Sequence, residues 1–188
     1  MLEVASLPHG REFERELFGV TGSQDEVPTY LDFDSAMREV MTTPLVRSDG
    51  EAGEVEKYEP QRPNWGKSHQ LWSEVRGRLP RRCEGKRSEP PSLYISIGTS
   101  LDFHHGVDAF FFWKGVYLSL DASLIPKERV ESGKGRLKAD ILVTPDDLTP
   151  TGLARLGENV AHQLKRRRYI TRQMSQKKRL LRERDSVW

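Results

Sequence analysis

One stretch constrains the fold of this chain more than any other: GVDAFFFWKGVYLSLDASLIPK, residues 106–127. Two apolar runs, 107–113 and 116–120, flank the pair Lys114-Gly115. Two such runs joined by two turn-forming residues read as a β-hairpin. The first run is apolar at nearly every position, as in a strand covered on both faces. The chain has 188 residues, 36% hydrophobic and 31% charged, so its core is modest. The other strong apolar runs lie between Leu93 and Val143, and the core is expected there.

Around the hairpin, SLYISI (92–97) alternates apolar and polar residues, and LKADILVT (137–144) is apolar enough for a further strand. Helical spacing marks residues 10–18, with Phe13, Leu17 and Phe18 on one side, and 32–41, with Met37, Val40 and Met41. Residues 68–79 carry Leu71, Trp72, Val75 and Leu79 on one face before Pro80 stops the helix. Residues 43–67 and 127–136 read as loops. Leu153, Leu156, Val160 and Leu164 form the stripe of a last helix, which the basic tail extends to about residue 184. The expected class is α/β (α+β): a central mixed sheet of about four strands (92–97, 107–113, 116–122, 137–144) flanked by helices. The expected parts are a helical N-terminal region (1–80), an α/β core (92–165) and a basic C-terminal helix or tail (166–188).

No run approaches the ~18 apolar residues of a membrane span, so no membrane association is expected. The first residues lack a basic flank followed by a long apolar stretch, unlike a secretory signal. Cys83 is the single cysteine, which excludes a disulfide within the chain and argues against a Cys-based zinc site. A cytoplasmic location is expected, or a virion component if the chain is phage-encoded.

The net charge of +2 hides an asymmetry. Ten basic residues (Lys165, Arg166, Arg167, Arg168, Arg172, Lys177, Lys178, Arg179, Arg182, Arg184) crowd residues 165–184 against one acid, Glu183. Such a segment is an electrostatic handle for phosphate, and nucleic acid is the expected partner. A helix over 151–184 is ~50 Å long and suits docking onto another subunit, whether in a homo-oligomer or a larger assembly.

Two acids sit inside the apolar stretch. Equal distances from the Lys114-Gly115 turn place Asp108 opposite Asp121, with Cα atoms ~5 Å apart. Like charges that close require a cation or a shared proton. Mg²⁺ or Mn²⁺ takes such hard oxygen ligands, one or two carboxylates at a time, and fills its remaining positions with water and phosphate. His104 and His105 precede the pair and are candidates for holding metal or phosphate. Asp102 reads as a loop acid bonded to its own backbone. Trp65, Trp72 and Trp188 are able to stack on bases, although Trp72 lies on a helical stripe and is expected in the core. Gly133-Lys134-Gly135 lacks the spacing of a phosphate-binding loop.

GTSLDFHHGVDAFFFWKGVYLSLDAS resembles the core of the restriction-endonuclease-like nucleases, the PD-(D/E)xK superfamily. Asp108 matches the acid that starts one strand. Asp121-Ala122-Ser123 matches the (D/E)-x-K tripeptide of the adjacent strand, with Ser123 in place of lysine. The resemblance covers residues 92–165 and implies a restriction-endonuclease-like fold, metal held by Asp108 and Asp121, and hydrolysis of DNA. It also implies a lysine at the phosphate, which Ser123 does not supply. Lys138 is the first candidate for a migrated lysine and Lys127 the second. The acid that the family often carries on its first helix corresponds to Glu12, Glu14 or Glu16. The rival reading is a non-catalytic nucleic-acid-binding or assembly protein on the same scaffold, such as a phage component.

Overall fold

A computed structural model describes residues 10–19, 27–42, 67–80, 82–83, 86–87, 89–124 and 139–185. In chain order these form α1 (Gly10–Phe18), α2 (Phe33–Thr42), α3 (Ser68–Arg78), β1 (Arg82–Cys83), β2 (Lys86–Arg87), β3 (Ser92–Ile95), α4 (Ser100–His105), β4 (Ala109–Trp113), β5 (Val116–Ala122), β6 (Ile141–Val143), a 3-10 turn (Pro145–Leu148) and α5 (Pro150–Asp185). The main sheet has the order β3-β4-β5-β6. Its first three strands run antiparallel to their neighbours, and β6 runs parallel to β5. The sheet is therefore open, mixed and four-stranded, as expected.

The hairpin register pairs Ala109 with Leu120 and Trp113 with Val116, the pairing that the turn arithmetic requires. Both turn residues have positive φ, 51° at Lys114 and 78° at Gly115. That is the two-residue turn whose twist matches the twist of its strands. Lysine is an uncommon choice there, and the Lys114 ammonium lies 5.3 Å from the centroid of the Trp113 ring.

Alternation along the hairpin builds two cores. Ala109, Phe111, Trp113, Val116, Leu118 and Leu120 face a large cluster with α1, α3 and α5. Phe110, with Phe112 and Tyr117 beside it, faces a smaller cluster with Ala36, Met37 and Val40 of α2 and Leu101 of α4. Helices thus cover both faces, which explains why β4 has almost no polar position. The helices set apart in the sequence as an N-terminal region, 1–80, belong to these same two cores.

Strand ends differ from the expected ranges. The strand expected over 92–97 ends at Ile95, because a turn at Gly98 and α4 follow. Asp108 lies just before β4 instead of inside it. The strand expected over 137–144 is β6 alone, because Ala139-Asp140 is a bend and residues 137–138 fall outside the described set. The connector after Pro80 contains the short β1–β2 ribbon. Trp72 is buried in the core, and its indole N–H donates to the Pro91 carbonyl at 2.7 Å, fixing α3 to the segment entering β3. Among the described residues no helix is long and apolar enough to cross a membrane.

Helix α5 runs 36 residues, with Leu153, Leu156, Val160 and Leu164 fully or almost fully buried. It crosses α3 closely, because a Cβ on Gly157 would lie 2.5 Å from the Glu74 Cβ. Its start follows β6, beside the ends of β5 and β6, and it runs back to the hairpin turn. There Arg167 donates to the Tyr117 carbonyl at 2.7 Å.

Candidate functional site

The site forms where the hairpin opens. Asp108 is held by its backbone from both sides. The Ser96 N–H donates to its carbonyl at 2.8 Å, and its own N–H donates to the Leu120 carbonyl at 2.9 Å. The Ser96 hydroxyl donates to the neighbouring Val107 carbonyl at 2.5 Å. The side chain then turns across the hairpin, and the Ala122 N–H donates to its Oδ2 at 2.5 Å. Asp121 lies on β5, and its backbone partner on the other side is Leu142 of β6. Strand alternation puts it on the same face as Ser119 and Tyr117. Both acids are buried, with 7% of Asp108 and 8% of Asp121 exposed.

Asp102 joins them. It sits in α4, whose first turn is capped by the Thr99 hydroxyl accepting the Leu101 N–H. The Gly98 N–H donates to Asp102 Oδ2 at 2.8 Å, so the expected bond to its own loop backbone is present. The carboxyls of Asp102 and Asp108 lie near enough to act on each other. Burial raises the Asp102 pKa, and the Asp121 charge adds to the rise. Burial also pushes the Asp108 pKa up to about 8; the Ala122 N–H opposes the rise, and the charges of Asp102, Asp121 and Glu14 reinforce it. In the absence of a cation, both carboxyls are therefore held toward the protonated form.

The three acids of α1 are placed differently. Glu14 is the one whose charge reaches Asp108. Glu12 and Glu16 line a separate cleft of about 410 Å³ with Phe13, Pro145, Leu148 and Thr149. The sequence carried a signal for Asp102 that went unused: Thr99 followed three residues later by an acid is a helix-start pattern.

No family model matches this chain, and neither does any curated protein or solved structure.

Other expected site residues are placed elsewhere. His104 Nε2 is 2.9 Å from the Pro28 carbonyl and His105 Nε2 is 2.8 Å from the Leu31 carbonyl. With the Leu31 N–H donating to Ser100 Oγ, they fasten residues 27–32 to α4. Each Nε2 is thus engaged with a backbone carbonyl of that segment. Arg167 forms an ion pair with Asp140 at 2.5 Å, while Asp140 Oδ2 accepts the Ser119 N–H and hydroxyl, both at 2.9 Å. Burial pushes the Asp140 carboxyl up, but Arg167 and Ser119 outweigh it and the net shift is downward. Arg167 therefore anchors α5 against the hairpin. Lys165, Arg166, Arg172, Lys177, Lys178 and Arg179 are exposed along α5, and Arg168 is half-buried. Ser123 follows β5, with its N–H donated to the Val143 carbonyl at 2.9 Å. Lys127, Lys138, Trp65 and Trp188 lie outside the described residues.

Among the described residues no group of three or more His, Cys, Asp or Glu side chains is arranged to hold a metal ion. The donor set nonetheless fits a hard divalent cation. Asp108 and Asp121 offer carboxylate oxygens at a buried position, and Mg²⁺ needs only one or two such ligands. A cation there would also offset the mutual repulsion that raises Asp108.

Proposed function

We propose that this protein is a metal-dependent phosphodiesterase that hydrolyses nucleic acid, with DNA the preferred substrate and a restriction-endonuclease-like core. Asp108 and Asp121 would hold Mg²⁺ or Mn²⁺, and Glu14 and Asp102 would add negative potential around it. Such an ion lowers the pKa of a bound water and stabilises the phosphoryl oxygens. The observation that carries this reading is the Asp108 carboxyl, buried and clamped at the mouth of the hairpin with three other acids acting on it. Groups held in a raised-pKa state beside like charges are commonest at functional centres. The chain itself positions Asp108 through Ser96, Leu120 and Ala122, so the carboxylate stays fixed when its proton is exchanged for a cation.

The test is nicking or linearisation of plasmid DNA by the full chain with Mg²⁺ or Mn²⁺. Asp108→Ala and Asp121→Ala should each reduce cutting at least about 100-fold while leaving the circular dichroism unchanged. A thermal upshift with either ion, absent in Asp108→Ala, is the readout that does not depend on cutting. Cutting that survives both substitutions removes this centre from consideration.

Ser123 favours a second reading. A hydroxyl cannot supply the positive charge that a lysine brings to the phosphate. Without a lysine from another segment, the scaffold binds nucleic acid or assembles without cutting it. Metal-induced stabilisation with no cleavage of any DNA or RNA offered would select this alternative.

A further inference from the structure

The basic segment and the acid cluster lie at opposite poles of the sheet. Asp121 is near the end of β5 that pairs with β6, and its neighbour Ala122 faces Val143. Helix α5 runs back from that end and reaches Gly115, Val116 and Tyr117 at Arg167, Ile170 and Thr171. Beyond Arg168 the helix leaves the body: every described side chain from Tyr169 to Arg179 is exposed, including Tyr169 at 64%, Ile170 at 46% and Met174 at 58%. Residues 169–185 extend it by ~25 Å.

We propose that this exposed half of α5 is a docking arm for duplex DNA, seated in the major groove and separate from the acid cluster. At ~100° per residue, Arg166, Arg168, Arg172, Lys177 and Lys178 fall on all sides of the helix instead of along one stripe. A membrane-surface helix needs a broad apolar face opposite its charges. A helix lying in a groove meets phosphates on both flanks. A helix ~10–12 Å across fits the ~12 Å major groove of B-form DNA, whereas the deep, narrow major groove of A-form RNA does not admit it. The Arg167–Asp140 pair and the Arg167 bond to Tyr117 hold the root of the arm against the hairpin, so the arm is aimed before any polymer arrives. This inference takes from the cleavage reading only that nucleic acid is the polymer.

The experiment is fluorescence anisotropy of the full chain on a mixed-sequence duplex of about 30 base pairs, in EDTA, between about 50 and 200 mM salt. The wild type should bind with a steep salt dependence. The variant Arg172→Ala, Lys177→Ala, Lys178→Ala, Arg179→Ala should bind at least about tenfold more weakly, with a log–log salt slope shallower by about 3.6, near 0.9 for each of the four lost phosphate contacts. Arg38→Ala, which removes an exposed basic side chain of α2 outside the arm, should bind the duplex like the wild type. Equal affinity and slope for the quadruple variant overturns the proposal. So does tighter binding of double-stranded RNA, or a quadruple variant whose oligomeric mass changes while its DNA affinity does not.

Discussion

Burial and neighbouring carboxylates act on Asp108 in one direction, so the folded chain binds its proton more tightly than the unfolded chain does. An unfolded aspartate releases its proton near 3.8 and the folded Asp108 near 8. Between those values the folded state holds a proton that the unfolded state has lost. Stability of the metal-free protein should therefore fall as pH rises through that window. Asp108→Asn preserves an acceptor for the Ala122 N–H and gives Asp102 a donor, yet it cannot ionise. It should raise stability at about pH 8 by about 1–3 kcal/mol and flatten the fall, as read by urea denaturation in EDTA across the pH range. A destabilised Asp108→Asn protein at that pH would show that the acid is compensated by something else. The hairpin register, from Ala109 opposite Leu120 to Trp113 opposite Val116, was legible because it follows from a two-residue turn by counting. Asp102 left only the Thr99-x-x-Asp102 pattern, because α4, a helix of six residues, is too short to show an apolar period. The carbonyl partners of the two histidines were hidden for a related reason, since they lie more than 70 residues away in a segment with no period of its own.

Among the elements, α3 and α5 offer the sharpest contrast, because each carries a glycine inside a helix. Nothing lies within 4 Å of where a Cβ on Gly77 would sit, so Gly77→Ala should gain about 0.5–1 kcal/mol from helix propensity alone. At Gly157 the same substitution meets the Glu74 Cβ at 2.5 Å and the α3 backbone at 3.3 Å. The propensity gain is then outweighed by forced separation of the two helices, and Gly157→Ala should lose about 1–2 kcal/mol. Thermal melts of the two variants side by side should move in opposite directions; two upshifts would mean that the crossing is looser than this. The sequence showed the leucine stripe of α5 and the hydrophobic face of α3, but not that they meet. That contact depends on the small side of α5 at Gly157 and Ala161, and a glycine in a helical run reads first as a weakness. The last strand was over-extended for a comparable reason. Asp140 is spent on Ser119 and Arg167 instead of on a ladder, and alternation alone cannot report such a partner.

On the scale of the whole molecule, the two charged features are separated along one axis. The step from Asp121 back to Tyr117 is ~13 Å along the strand. The exposed part of α5 adds ~25 Å beyond it. Laid end to end, those lengths put the tip of the arm at most ~40 Å from the acid cluster, or ~12 base pairs of duplex at 3.4 Å each. Duplexes shorter than that engage one pole or the other. If the cleavage reading holds, plasmid cutting should lose about tenfold or more in the Arg172→Ala, Lys177→Ala, Lys178→Ala, Arg179→Ala variant and should weaken steeply with salt. Cutting of a duplex under ~12 base pairs should be equally slow in wild type and variant, because the arm contributes nothing to a substrate it cannot reach. Rates on a graded set of duplex lengths, measured for both proteins below saturation, should diverge near that length. A variant that loses the same factor on the shortest duplex would mean that the basic residues act at the acid cluster itself, as a second copy of the chain folding its arm over the first would bring about.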